Sequence, residues 1–140
     1  RHVVFDPNVL ISAALRTAST PRRALELVLR RDALITCEQA LQELEAVLRH
    51  SKFDRYASWA TRRELLDMVR AQARVCEIQA EHLEQAAGAC RDADDNLFLA
   101  LALAAEARTI VAGDAALLAL HPWQVITLCT AAGHLEREFE

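Results

Sequence analysis

HVVFD at residues 2–6 and TIVAGD at residues 109–114 are built alike: a short apolar run that stops at an acidic turn. Runs this short suit buried strands better than helices. Asp6-Pro7-Asn8 and Gly113-Asp114 are turn chemistry and end each run. Ala33 to Ile35, Val75 to Ile78 and Val125 to Leu128 are further candidate strands. Helical patterns fill the spaces between them. Residues 8–15 begin one. Thr20 is placed to cap the next, with Pro21 in its first turn, and it runs to about Arg31. Thr36 and Gln39 have capping-box spacing at the head of a third. Residues 57–74 carry Trp59, Leu65, Leu66, Val69 and Ala73 on one face. Asp95 to Ala107 is apolar nearly all round, so that helix is expected to be buried. A short helix over 115–120 and a weakly helical tail from Ala131 to Phe139 complete the pattern. Strands that alternate with helices predict an α/β fold, a parallel sheet with helices on both faces.

Length and composition bound the function. A chain of 140 residues with 53% apolar content is one domain with its own core, residues 1–140, and not a disordered segment. A net charge of −4 offers no general basic footprint, which argues against a reader of duplex DNA. It argues less against an enzyme that grips nucleic acid locally and through metal ions. Cys37, Cys76, Cys90 and Cys129 are scattered without a CxxC pair, as expected of reduced cysteines in a cytoplasmic protein. No apolar run reaches 18 residues, so no membrane span is expected. No signal peptide stands out. The chain opens on Arg1 and not on methionine, so native residues are expected ahead of it. GxGxxG, Walker and GxSxG motifs are absent, and the five histidines do not cluster.

The carboxylates carry the chemistry. In parallel α/β sheets, ligands bind outside the carboxyl ends of the strands, where Asp6 and Asp114 both fall. Either alone reads as a turn or cap residue. The run RDADDNLF, residues 91–98, crowds Asp92, Asp94 and Asp95 against the apolar helix. One carboxylate suffices to cap a helix. The surplus is either a solvated loop or a cation site, since a divalent ion makes clustered carboxylates tolerable. On the helix after Thr36, Glu43 and Glu45 flank the apolar stripe on opposite sides, and periodicity does not choose between them. Oxygen ligands without nearby His or Cys suit Mg²⁺ or Mn²⁺. Such ions serve phosphate chemistry by activating water and neutralising charge.

These segments together resemble the PIN-domain family, more narrowly its VapC-like ribonucleases, toxins of type II toxin–antitoxin systems. The resemblance rests on VVFDPNVLISAAL at 3–15, ELEAVLRHSKF at 43–53 and RDADDNLFLALALAAEARTIVAGDAALL at 91–118, in the family's order. It implies a three-layer α/β/α sandwich around a central parallel sheet. It also implies an Mg²⁺- or Mn²⁺-dependent ribonuclease with Asp6, Glu43, Asp95 and Asp114 as an acidic quartet. By this resemblance Glu43, directly before Leu44, is preferred to Glu45. Asn8 and Ser12 look like supports of the first aspartate. In other branches the spacing from the last aspartate falls here on Asn96. Asp95 ranks first as the ligand from this run, Asp92 second, and Asp94 reads as a solvated cap. Arg16, Arg22, Arg23, Arg49, Lys52 and Arg55 are candidates to hold the RNA backbone. An antitoxin protein and a homodimer are the implied partners. The rival readings are a catalytically weak PIN-like module that binds RNA or a partner, and a metal-dependent phosphatase-like α/β domain. The latter expects a second aspartate that Asp6-Pro7-Asn8 lacks.

Overall fold

The computed structural model describes residues 1–139, and in it five strands form one wholly parallel sheet. They are β1 (His2–Phe5), β2 (Ala33–Thr36), β3 (Arg74–Val75), β4 (Thr109–Val111) and β5 (Thr127–Cys129), in the spatial order β3-β2-β1-β4-β5. The helices are α1 (Pro7–Leu15), α2 (Thr20–Arg31), α3 (Glu38–Leu48), α4 (Trp59–Gln72), α5 (Ala80–Ala86), α6 (Asn96–Ala104), α7 (Ala115–Leu118) and α8 (Ala131–Glu138).

Strand periodicity builds the layers. Val3 and Phe5 face a core made with α1, α2, α3, α4 and α8, while Val4 between them faces α5, α6 and α7. Leu34 and Ile35, and Val111 and Ile110, divide in the same way. The sheet is therefore covered on both faces, as the apolar strands require. α6 buries Phe98, Leu99, Ala100, Leu101 and Ala102 in succession, which is why its sequence has no polar face. Each large apolar side chain removed from water contributes about 1.5–3 kcal/mol.

Several boundaries move. Ser19, not Thr20, caps α2, its Oγ accepting the Arg22 N–H at 3.3 Å. The Thr36–Gln39 capping box does not form: Thr36 is held extended by its pairing with Val75, and Cys37 takes the cap position without a side-chain bond. β3 lies at Arg74–Val75 instead of 75–78, an exposed edge strand of two residues. α5, seven residues long, follows it without a warning in the periodicity and is held by packing on α6. β5 begins at Thr127, two residues beyond the expected start, and Val125 stays exposed.

The chain runs outward from β1 through β2 to β3, then crosses to β4 on the other side of β1. The strand order thus reverses between β1 and β4. A crevice opens outside their carboxyl ends, the place where open α/β sheets bind ligands. There the Asp6 N–H donates to the Val111 carbonyl at 2.8 Å and laces the two strand ends together.

Candidate metal centre at the reversal of strand order

Asp6 leaves β1 as the N-cap of α1 and is only 2% exposed. Its Oδ1 accepts the Asn8 N–H at 3.3 Å, and the backbone N–H groups of Gly113 and Asp114 also point to the carboxylate. Oδ2 is buried and has no hydrogen-bond partner among the described residues. Desolvation pushes the Asp6 carboxyl above its ordinary value, and the negative charge of Asp114 adds to this. An acid this enclosed, with one oxygen that no donor meets, is costly to ionise unless something positive meets it.

Asp114 leaves the end of β4 as the N-cap of α7, its Oδ1 accepting the Ala116 N–H at 2.9 Å. Asp95 arrives from a 3₁₀ turn, Ala93–Asp95, that leads into α6, and it is 8% exposed. Asp92, Asp95 and Asp114 each offer an oxygen within 4.8 Å of the others; Asp6 stands outside that group and is near enough for its charge to act on Asp95. Burial, the hydrogen bond with Asp114 and the nearby charges of Asp114, Asp92 and Asp6 push Asp95 up to about 7. Asp114 is held below the usual carboxylate range, chiefly by that same hydrogen bond. One proton shared by two adjacent carboxyls gives this split.

Around this core the other expected residues divide. Asp92 is exposed at the rim, its Oδ1 accepting the Asp94 N–H at 3.0 Å. Asp94 is exposed and does not join the cluster. The Asn96 side-chain oxygen accepts the Cys90 N–H at 2.8 Å, so it fastens the loop before the 3₁₀ turn. Asn8 supports Asp6 through its backbone N–H. Ser12 lies on the wall of an open hollow of about 480 Å³ that also has Asn8, Gly113, Asp114 and Pro21 in its lining. Glu43 is exposed on α3, bonded by Gln39 Nε2 at 3.3 Å, and stands outside the tight cluster. The Cys37 thiol, which follows β2 directly, is raised chiefly by burial, and the charge of Glu43 adds to this. Glu45 is instead taken up by Arg70 and by Arg49 at 3.2 Å.

The arginine candidates divide too. Arg22 is a correction: it is buried and paired with Glu26 one helical turn on, at 3.0 Å, which withdraws it from any phosphate. Arg49 pairs with Glu45 and lies over the Trp59 ring at 4.6 Å. Lys52 lies 5.1 Å from the Phe53 ring centroid. Arg16, Arg23 and Arg55 are exposed and make no ion pair among the described residues.

Two contributors carried no warning in the sequence. Cys90 is buried and its thiol donates to Asp95 Oδ2 at 3.7 Å. Arg91 is close enough for its charge to lower Asp114. Their only signal was their place immediately before the acidic run. A second acidic group, Asp32 with His134 and Glu138, lies at the amino end of the sheet, where Arg1 already bridges Asp32 and Glu138.

The donor set fits a hard divalent cation. It is all carboxylate oxygen, the Asp6 oxygen beside the group is buried without a partner, and the Asp95 carboxyl is raised to about 7 by burial and by the carboxylates around it.

The chain belongs to the PIN-domain family, whose sequence pattern, described as PIN domain, matches residues 2–116. The fold is similar to a chain in the crystal structure of VapBC2 from Rickettsia felis bound to a DNA fragment from their promoter. That likeness has a TM-score of 0.63 at 16% identity, over 91% of this chain and 97% of that one. No curated protein matches the chain in sequence. Among the described residues, no helix is long and apolar enough to cross a membrane.

Proposed function

We propose that this protein is a divalent-metal-dependent ribonuclease, the toxin of a toxin–antitoxin pair acting in the cytoplasm. The observation that carries this reading is the partnerless, buried Oδ2 of Asp6 beside the proton-sharing pair Asp95 and Asp114. Asp6, Asp95 and Asp114 would hold Mg²⁺ or Mn²⁺, with Asp92 and Glu43 contributing from the rim. When bound, such an ion supplies Lewis-acid stabilisation to a phosphodiester and activates water for its hydrolysis.

The chain's own residues do the rest. The Asn8 N–H aims the Asp6 carboxylate, and the Gly113 and Asp114 N–H groups lie near enough to favour its charged form. Asp95 gives up its proton when positive charge arrives, so cation binding releases a proton and tightens as pH rises. Arg16, Arg23 and Arg55 offer unpaired positive charge to RNA phosphates, contacts that position a strand without reading its bases. Lys52, which like Arg55 lies over a neighbouring ring and makes no ion pair among the described residues, stands with them, and Arg49, paired with Glu45, ranks behind. The net charge of −4 makes such local contacts necessary. An antitoxin protein and a second copy of the chain are the proposed partners, the first supported by the likeness to the VapBC2 assembly.

The test is cleavage of labelled single-stranded RNA with and without Mn²⁺, by wild type and by Asp6→Asn. Metal-dependent cleavage that the substitution reduces at least a hundredfold is expected. Undiminished cleavage by the variant would overturn the assignment.

A further inference from the structure

The hollow beside Asp114 does not end at α1. Ser12 and Pro21 also line a second open hollow, of about 1020 Å³, which continues past Arg16 and Thr20 to Tyr56. The two hollows are therefore neighbours along one trough, with Asp114 of the carboxylate site at one end and a tyrosine at the other. Tyr56 is 61% exposed, although a tyrosine ring gains by burial. Arg55 lies over it at 5.4 Å from the ring centroid.

The turn that presents this ring is firmly held. It follows a 3₁₀ turn, Ser51–Phe53, and the Tyr56 and Ala57 N–H groups both donate to the Phe53 carbonyl, at 2.9 and 3.1 Å. Beneath it, the buried Arg62 donates to the carbonyls of Leu48 at 2.9 Å and His50 at 3.0 Å and pairs with Asp54. A backbone held in this way has little freedom left to lose on binding, which favours affinity.

From this geometry we infer that Tyr56 is a stacking platform for an unpaired base of the RNA strand whose phosphate reaches the carboxylate site, with Arg16 and Arg55 holding the intervening backbone. The inference rests on the ribonuclease reading above. A single strand suits the trough better than a peptide does. Its walls mix Arg16, Thr17, Ser19 and Thr20 with Leu15, Ala18 and Pro21, and Leu15 is the one large aliphatic side chain in them, too little to anchor an amphipathic helix. Aromatic faces accept any base, and a neighbouring arginine adds cation–π attraction. Duplex RNA keeps its bases stacked internally and would gain nothing from the platform.

Two measurements test this separately from catalysis. The first is fluorescence anisotropy of a mixed-sequence single-stranded RNA decamer in EDTA, with wild type, Tyr56→Ala and Tyr56→Phe. The second is the Mn²⁺-dependent cleavage of the same strand by the three proteins. Tyr56→Ala is expected to bind about tenfold more weakly, equivalent to about 1.4 kcal/mol and within the range for one base–aromatic stack. Tyr56→Phe should bind like wild type, and binding of a duplex of equal length should be unchanged by either substitution. In cleavage, KM should rise about tenfold in Tyr56→Ala with kcat nearly constant. Wild-type affinity in Tyr56→Ala, or no binding of the decamer by wild type, overturns the platform and leaves the trough to a protein partner. Tyr56-dependent binding without any cleavage keeps the platform and refutes the nuclease reading. Normal cleavage with an unchanged KM in Tyr56→Ala does the reverse.

Discussion

Asp95→Asn removes one ionisable group from the carboxylate cluster while keeping its shape. In the metal-free protein the Asp95 carboxyl lies at about 7, against 3.8 for an ordinary aspartate. A carboxyl raised in this way binds more protons folded than unfolded. Its stabilising contribution is complete below about pH 4 and is lost as pH rises to about 7. The full difference corresponds to ~4 kcal/mol. The mouth of the site is open to solvent, so screening brings the expectation down to about 1–2 kcal/mol. Asp114, held below the usual range, titrates beneath this window and leaves the slope unaffected. His134, lowered by burial, titrates in both proteins and cancels in their difference. Urea denaturation in EDTA at pH 4, 6, 7 and 8 reads that difference directly. The two proteins should be nearly equally stable at pH 4, the gap should open as pH rises, and by pH 8 Asp95→Asn should be more stable by about 1–2 kcal/mol. Adding Mn²⁺ at pH 8 should favour wild type instead. A difference that does not change with pH, or a variant that becomes relatively weaker at pH 8, refutes the shared-proton account of the cluster.

Arg62→Met should cost about 3 kcal/mol in urea denaturation, because it strips a donor from the buried carbonyl of Leu48 and another from the half-buried carbonyl of His50, and leaves Asp54 without its partner. Asp54→Asn should cost less than about 1 kcal/mol, since Asp54 is exposed; equal effects would contradict the assigned roles. Leu99→Ala, at a fully buried site in α6, should cost about 2–5 kcal/mol and lower the melting temperature accordingly. Mn²⁺ at a hundred times its dissociation constant should stabilise wild type by about 2.7 kcal/mol in the same assay. Asp6→Asn should lose most of that gain, and an equal gain in the variant would place the ion elsewhere.

Sequence and structure agree where the signal is strong. β1, β4 and α6 were legible because their residues are buried on every side, so hydrophobicity alone marks them. Asp6 and Asp114 were legible because a strand end is a position readable from pattern, and topology brings the two ends together. β3 and α5 were not, because each is short and depends on partners distant in sequence. Asp92, Asp95 and Asn96 could not be ordered from spacing. A 3₁₀ turn precedes α6, and its three-residue period turns side chains differently from an α-helix. The Asn96 bond to Cys90 depends on a loop path that no local pattern encodes. Glu43 and Glu45 were equivalent by periodicity, and they separate because Arg70, on the neighbouring helix, draws Glu45 away.

The central claim is that Asp6, Asp95 and Asp114 hold one divalent cation site. Anomalous diffraction from crystals soaked in Mn²⁺ tests it most directly. The account expects a manganese peak in contact with Asp6 Oδ2 and with the carboxylates of Asp95 and Asp114. A peak only at Asp32, His134 and Glu138, or a fully occupied site that leaves Asp6 untouched, would contradict it.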